Sequence, residues 1–259
     1  MRSALVALFA LLSASSAAGQ EKTARASNSR EVRLHLDLAY EHLSNGFGPW
    51  RSAALALHLT RSNDSGIWVG VKETTRFARR DHDVSAGVEH RLTSRLTAAV
   101  EADASPSHHV SPAWGVAGRL QLDAAGGWGA QVGVEHRRYS SAEVDLGAIT
   151  VERYLDRYRA AYTLHVARLH GGGTSAVHRA SGDLYYGRSS NSIGVNVSAG
   201  EELENIQPIG VLRTPVRAAS IVGRQWLTPR WFVTYDVLVH EQGSLYVRRR
   251  LGLGIGHRF

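Results

Sequence analysis

The sequence comprises 259 residues, of which 43% are hydrophobic and 20% are charged, and it contains no cysteine. Without cysteine the chain cannot form a disulfide framework. The formal net charge is +7, but the basic residues are almost all arginines that are interleaved with carboxylates, so the charge pattern does not favour nucleic-acid binding.

The chain begins with a pattern typical of a secretory signal peptide. A charged start at residues 1–3 precedes an apolar run at residues 4–12 and small residues at positions 13–19. The apolar run is too short to cross a bilayer as a helix, and Ser16 and Ala18 fit a cleavage site after Ala18. We therefore predict a signal peptide over residues 1–18 and a polar, disordered leader over residues 19–30.

From residue 31 onward, apolar and polar residues alternate with a period of two, which is typical of β-strands with one apolar side. The first such stretch, residues 32–40, places three leucines on one side and Arg33, His35 and Asp37 on the other. The last one places apolar residues up to Phe259 on one side and glycine or arginine on the other. Alternation is least clear over residues 142–154 and 214–226, where the register is not assigned.

The strand pattern predicts a single membrane domain. No window after residue 30 holds about 18 uninterrupted apolar residues, so a transmembrane helix is not predicted. We count about fourteen strands of roughly 9–13 residues, the length that a tilted strand needs to cross a membrane. The sequence therefore predicts an all-β fold over residues 31–259: a closed, antiparallel, up-and-down transmembrane β-barrel with both ends of the domain on one side.

The connections between the predicted strands alternate in length. Tight turns such as residues 62–65 and 227–230 alternate with longer loops, which we predict at residues 44–49, 105–112, 170–176 and 202–212. Short periplasmic turns and longer outer loops are typical of bacterial outer-membrane barrels. Two predicted outer loops, at residues 78–80 and 242–244, are short and depart from this asymmetry.

Aromatic residues stand beside both sets of connections, which predicts two girdles at the membrane interfaces. Those beside the tight turns or the terminus are Trp68, Trp128, Tyr154, Tyr158, Trp226, Trp231 and Phe259, and those beside the outer loops are Phe47, Trp50, Phe77, Trp114, Tyr139 and Tyr246.

The polar side of the alternation predicts which residues face the barrel interior. An arginine or lysine at mid-depth on the lipid side costs about 2–4 kcal/mol, so the charged positions are expected to point inward. The candidate lumen-lining residues are Arg33, Asp37, Lys72, Glu89, Glu101, Arg119, Glu135, Arg159, Asp236 and Arg250. Charges of both signs either pair and plug a lumen or line a water-filled path, and the expected barrel size alone does not decide between these two roles.

Short polar motifs do not predict an enzyme. Ser107-His108-His109 lacks a local signature of a nucleophile, a base and an oxyanion site. In Asp81-His82-Asp83 the histidine lies on the opposite strand face from the two aspartates, which argues against a metal site. We therefore predict no catalytic residues, no metal site and no cofactor, although a barrel hydrolase assembled from separate strands stays open as an alternative.

The sequence resembles the YaiO-type outer-membrane β-barrel proteins over residues 31–259. The stretches that carry the resemblance are residues 105–108 (SPSH), 150–154 (TVERY), 227–231 (LTPRW), 240–243 (HEQG) and 256–259 (GHRF). The resemblance implies a location in the bacterial outer membrane. Related barrels occur with periplasmic repeat domains in exopolysaccharide export systems, so it also implies a link to surface carbohydrate.

These observations lead to one leading function and two alternatives. We expect a passive pore or an accessory in surface-polysaccharide handling or export. The alternatives are a membrane-embedded enzyme acting on lipid or polysaccharide, and a structural or adhesive barrel whose loops bind a partner. The expected partners are outer-membrane lipid, the barrel-assembly machinery, which would read Phe259 in the last strand as an assembly signal, and polysaccharide, but not nucleic acid.

Overall fold

The computed structural model describes residues 5–7, 30–62, 65–187, 191–206 and 210–259. Apart from residues 5–7, the predicted signal peptide lies outside the described residues. Residues 19–29 of the predicted leader also lie outside them. A three-residue strand, β1 (Leu5–Ala7), pairs with residues 204–206.

Fourteen longer strands form one antiparallel sheet, and their number agrees with the alternation in the sequence. They are β2 (Glu31–Leu43), β3 (Trp50–Ser62), β4 (Ser65–Arg76), β5 (Arg79–Arg91), β6 (Leu96–Ala104), β7 (Trp114–Asp123), β8 (Trp128–Arg138), β9 (Glu143–Leu155), β10 (Tyr158–Leu169), β11 (Gly173–Tyr186), β12 (Asn191–Ile206), β13 (Gly210–Trp226), β14 (Trp231–Gln242) and β15 (Tyr246–Arg258). One turn of 3₁₀ helix, Ala125–Gly127, lies between β7 and β8.

The sheet closes on itself. Each of these strands pairs with the next one in the chain, and β15 pairs back onto β2 from Arg248↔Leu43 to Arg258↔Arg33. The backbone N–H of Phe259 donates to the carbonyl of Val32 (3.0 Å), so both ends of the domain meet at one end of the barrel. Closure satisfies the backbone groups that an open sheet edge would leave unpaired in lipid. The predicted fold class is confirmed.

The outer surface of the barrel is apolar. Large aliphatic residues are exposed at every second position of nearly every strand, for example Val134 (63%) and Leu253 (59%). This surface is favourable only where lipid covers it, because exposing so much apolar area to water costs free energy. Among the described residues, no helix has the length and apolar character needed to span a membrane.

The connections differ from the prediction at two places. We call the end with both chain termini the turn end and the opposite end the loop end. At the loop end, residues 44–49 and 105–113 form the two longer loops, as predicted, and residues 77–78 and 243–245 form short turns. The predicted long loops at residues 170–176 and 202–212 are wrong, because β11 begins at Gly173 and the β12–β13 ladder continues to Ile206↔Gly210.

The aromatic girdles are confirmed only in part, and only at the turn end. Trp128, Tyr158, Trp231 and Phe259 are exposed on the outer surface there. The predicted members Trp68, Tyr154 and Trp226 are instead partly buried on the inner side of their strands. At the loop end Trp114 is exposed, but the predicted girdle members Trp50, Tyr139 and Tyr246 are buried inside the barrel. Trp50 and Tyr246 lie on the inner face of β3 and β15, Tyr139 follows β8, and all three pack against other buried side chains.

Candidate functional site

All ten candidate lumen-lining residues project from the inner face of the wall, opposite to the exposed apolar residues of their strands. They belong to β2, β4, β5, β6, β7, β8, β10, β14 and β15, so they surround the lumen and do not form a single cluster. Whether they line a conducting path stays a prediction.

Most of these residues are held in ion pairs with neighbouring side chains. Arg119 Nη2 lies 2.9 Å from Glu89 Oε2, and Arg250 Nε lies 2.7 Å from Asp236 Oδ2, so each pair joins two predicted residues. Arg33 pairs with Glu31 (2.9 Å), Asp37 pairs with His35 (2.9 Å), and Glu135 pairs with Arg137. Lys72 is the cross-strand partner of Asp83.

Arg159 joins two carboxylates that the candidate set did not include. Its Nε donates to Glu152 Oε2 (2.7 Å) and its Nη1 donates to Asp183 Oδ2 (2.8 Å). Both carboxylate side chains are only 7% exposed. Glu152 lies in the stretch whose register the sequence left unassigned, yet its alternation with Thr150 and Tyr154 would have placed it on the inner face. Three strands are therefore cross-linked by the side chain of Arg159.

A second network lies where the barrel closes. Glu41 accepts ion pairs from Arg248 (3.2 Å) and Arg250 (3.3 Å), and Arg250 also binds Asp236. The two networks satisfy much of the charge of the inner wall by charge-assisted hydrogen bonds. Fixed pairs of this kind leave a wall that carries both signs of charge and little net charge.

Glycines on the inner face make room for these carboxylates. A β-carbon added at Gly129 would lie 2.7 Å from Glu152 Oε1, and one added at Gly115 would lie 2.6 Å from Asp103 Oδ1. A β-carbon added at Gly194 or Gly252 would likewise collide with the carboxylate of Asp183 or Asp236, respectively. In the last strand, Gly252 and Gly254 therefore leave room for Asp236 and Asp37 to lie against the wall, whereas Gly256 leaves room for the ring of Phe232.

A cavity of about 240 Å³ lies in the middle of the lumen. Its lining includes four of the predicted residues, Glu101, Arg119, Glu135 and Arg159, together with hydroxyl, amide and imidazole groups from β9 to β12. A polar site needs only about 10–15 Å³ of such volume to hold one water molecule, so this space has room for several waters. The interior is therefore not filled by side chains.

The loop end of the lumen is covered by the extended hairpin of β12 and β13. Leu203 of β12 is buried in an apolar cluster with Val144, Leu146 and Leu169, which lie on the inner faces of β9 and β10. Leu146 also lines the central cavity. The hairpin end therefore leans across the mouth and lies above the cavity.

An aromatic cluster covers the opposite side of the same mouth. Trp50, Tyr246 and Leu43 are buried together, and Phe77 packs edge-on against Trp50 at 5.1 Å between ring centroids. The Tyr246 hydroxyl donates to Glu204 of the hairpin (3.4 Å). The hairpin thus contacts both clusters, one through Leu203 and the other through Glu204.

Three lumen residues have the hydrogen-bond order of a nucleophile, a base and an acid. Thr234 Oγ1 lies 3.2 Å from His35 Nε2, and His35 Nδ1 lies 2.9 Å from Asp37 Oδ2. Thr234 also donates to Asp37 at 3.4 Å. Sequence reasoning missed this trio because Thr234 lies on β14 and the other two on β2. The surrounding wall amides pair in the β-ladder, which limits them as oxyanion donors.

The two short polar motifs come together, but in a structural role. The buried Asp81 carboxylate accepts hydrogen bonds from the backbone N–H groups of His109 (3.0 Å), Val110 (2.6 Å) and Ser111 (2.8 Å). Ser107 Oγ accepts one from the backbone N–H of His82 (3.2 Å). Asp81 therefore anchors the loop at residues 105–113 to the end of β5, as capping carboxylates do for other exposed amides.

Outside the lumen, the described part of the chain contains one group of side chains that could hold a metal ion. His136, Asp145 and His170 lie at the loop end, and their potential ligand atoms are all within 4.8 Å of one another.

The sequence and the fold are similar to those of known membrane β-barrel proteins. The model of the YaiO membrane beta barrel domain matches residues 31–205. A solved structure described as a CymD monoaromatic hydrocarbon channel is similar at a TM-score of 0.57 with 11% identity, covering 90% of this chain and 88% of that one. A bacterial polysaccharide outer membrane secretin is similar at a TM-score of 0.53 with 9% identity, covering 90% and 98%. At these identities the likeness extends to the fold alone. No curated protein matches the sequence.

Proposed function

Because the chain belongs to the YaiO membrane beta barrel family and is a bacterial outer-membrane protein, we propose that it is a passive pore for small polar solutes whose outer mouth is gated by the β12–β13 hairpin. With both termini on the periplasmic side, as is usual for bacterial barrels, the loop end faces the outside of the cell. The hairpin would then control exchange between the lumen and the exterior.

The observation that carries this proposal is the central cavity with charged walls. It is roomy enough for water and lined by guanidinium, carboxylate, amide and hydroxyl groups. Such a lining can replace the hydration of a small polar solute in transit. A barrel whose only role was structural would gain more stability from apolar residues that filled this space, since voids and buried charges both cost free energy.

A role in surface-polysaccharide handling is a narrower form of the same proposal. Sugar hydroxyls would find both donors and acceptors in the lumen. A polymer, however, needs an opening at both ends, and the β12–β13 hairpin covers the loop end of the lumen. Small solutes therefore fit the geometry better than a polysaccharide chain, and an accessory role would not require the chain to pass.

Single-channel recording in planar bilayers tests the pore. We expect the wild type to show small or rare openings, and we expect larger, steady openings after residues 203–213 are replaced by Asn-Gly. This replacement joins the paired residues Glu202 and Thr214 by a two-residue hairpin turn. Glu201→Ser, which changes an exposed side chain of the same hairpin, is the control and should behave as wild type. If neither the wild type nor the shortened barrel conducts ions, the proposal is refuted.

A hydrolase is the second candidate, and the Thr234, His35 and Asp37 trio favours it. In that reaction Thr234 would attack an ester carbonyl while His35 accepted the hydroxyl proton and Asp37 oriented the ring. The protonated His35 would then give that proton to the departing alcohol, and water would hydrolyse the acyl group from Thr234. Purified barrel in detergent would be tested with short-chain esters. Turnover that disappears in Thr234→Val but persists in Thr150→Val, which removes another hydroxyl from the inner wall, would support an enzyme. No turnover by the wild type would exclude this reaction for these esters.

A further inference from the structure

We propose that His136, Asp145 and His170 form a binding site for a divalent transition-metal ion, Zn²⁺ being the best match, on the outer wall of the barrel. The site is separate from the lumen, and it does not depend on the pore. It requires only the three strand ends that bring these side chains together.

Strand pairing brings the three residues to one place. His136 near the end of β8 is the direct cross-strand partner of Asp145 near the start of β9. His170 follows β10, and its backbone N–H donates to the carbonyl of Glu143 (2.9 Å). His136 lies nine and His170 lies 25 residues from Asp145 in the sequence, and these spacings match no metal-binding motif, which is why the sequence predicted no metal site.

The side-chain geometry is that of a two-histidine, one-carboxylate site. The Asp145 carboxylate lies between the two rings, with Oδ1 at 2.7 Å from His136 Nδ1 and Oδ2 at 2.7 Å from His170 Nε2. Imidazole nitrogen and carboxylate oxygen are ligands that Zn²⁺ prefers, with metal–ligand lengths near 2.0–2.2 Å. Tetrahedral coordination at these lengths places ligand atoms about 3.3 Å apart. Small side-chain rotations provide that spacing, and water can occupy the fourth position.

Neighbouring side chains would support the metal ligands from outside. His170 Nδ1, the ring nitrogen that faces away from Asp145, lies 3.7 Å from Glu143 Oε2. Metal-binding histidines commonly have a carboxylate or carbonyl beside the second ring nitrogen, which fixes the tautomer and the ring orientation. The ring of Trp114 lies 5.1 Å from that of His136 and limits its rotation.

The position on the wall makes the site accessible. His136 follows Val132 and Val134 on the same outward face of β8, and both valines are exposed to lipid. The site therefore lies just beyond the apolar band, at the level of the headgroups on the loop-end side. A bound ion would join the ends of three strands there and keep one coordination position open to the surroundings.

Titration calorimetry with Zn²⁺, using chelator-washed barrel refolded in detergent, tests the site. We expect one saturable Zn²⁺ per wild-type barrel. Asp145→Asn and His170→Ala should each weaken binding by on the order of 100-fold or more, and Glu143→Gln by less, within the roughly 10–100-fold typical of outer-shell partners. His178→Ala is the matched control, because His178 is also an outward histidine and pairs with the Tyr162 hydroxyl (2.6 Å).

The result that would overturn the proposal is equal Zn²⁺ affinity in the wild type and Asp145→Asn, or no saturable binding by the wild type. A drop in His178→Ala as large as in His170→Ala would also overturn it, since it would indicate binding by dispersed surface histidines. Heat-modifiable migration on gels establishes folding of each variant before titration. His170 lies outside the strands, so its replacement leaves the β-ladder intact.

Discussion

Arg159→Met tests whether the inner wall is dry enough for its ion pairs to determine stability. The replacement keeps a long side chain but removes the cation that contacts both Glu152 and Asp183. Both carboxylates are 7% exposed and lie within 2.8 Å of the guanidinium. Removing one member of a buried ion pair typically costs about 3–5 kcal/mol, because the partner is left buried and uncompensated. We expect a loss of stability of about that size.

A matched variant separates burial from pairing. Arg213 and Glu201 are also 2.7 Å apart, but their side chains are 48% and 52% exposed. Arg213→Met should therefore cost only about 0.2–1 kcal/mol. Replacing Arg159 together with both of its carboxylate partners by neutral residues should recover most of the stability, since no unpaired charge stays buried.

The assay is equilibrium unfolding in lipid vesicles with guanidinium, followed by tryptophan fluorescence and analysed by linear extrapolation. Equal losses for Arg159→Met and Arg213→Met would refute the reasoning. That result would mean that water screens the inner pairs as strongly as it screens the surface pair, and that the lumen is wetter than the side-chain exposure indicates.

Three further predictions concern the two faces of the barrel wall and its last strand. Leu253→Arg places a charge on the lipid side at mid-strand and should cost about 2–4 kcal/mol in vesicle unfolding, whereas Leu92→Arg at a turn should cost at most about 1 kcal/mol; equal effects would contradict the assigned faces. Gly252→Val should destabilise by about 1–3 kcal/mol because its side chain displaces Asp236, and the effect should shrink in an Asp236→Ala background, as a double-mutant cycle would measure. Deleting Phe259 should lower the amount of heat-modifiable barrel in cell membranes if the assembly machinery reads the last residue, and unchanged amounts would argue against that role.

The sequence predicted the wall of the barrel well where lipid imposes the pattern. Leu34 to Leu38 in β2 and Leu251 to Ile255 in β15 must be apolar on one side, since that side contacts hydrocarbon, and a period of two then follows from strand geometry. Strand number, closure and the inward direction of the charged residues all derive from this one constraint.

The prediction failed where the strands rise above the lipid. In β9, Val144 and Leu146 face inward to meet Leu203, while Asp145 faces outward, so the polarity is reversed relative to the lower part of the strand. The upper part of the β12–β13 hairpin looked like a polar loop because it contains Glu202 and Glu204, which the structure buries inside the barrel. Where a strand extends beyond the hydrocarbon, its outer face no longer has to be apolar, so the alternation of apolar and polar residues no longer shows which face points into the barrel.

The sequence by itself determined a closed membrane barrel with charged groups on the inside, because each residue in contact with lipid is constrained independently of its neighbours. Only the tertiary structure decided which charges pair, how the hairpin covers the mouth, and that His136, Asp145 and His170 meet on the outer wall. These features depend on the register between strands and on contacts between residues far apart in the chain. A period-two pattern defines the face of each side chain but not the residue that lies opposite it.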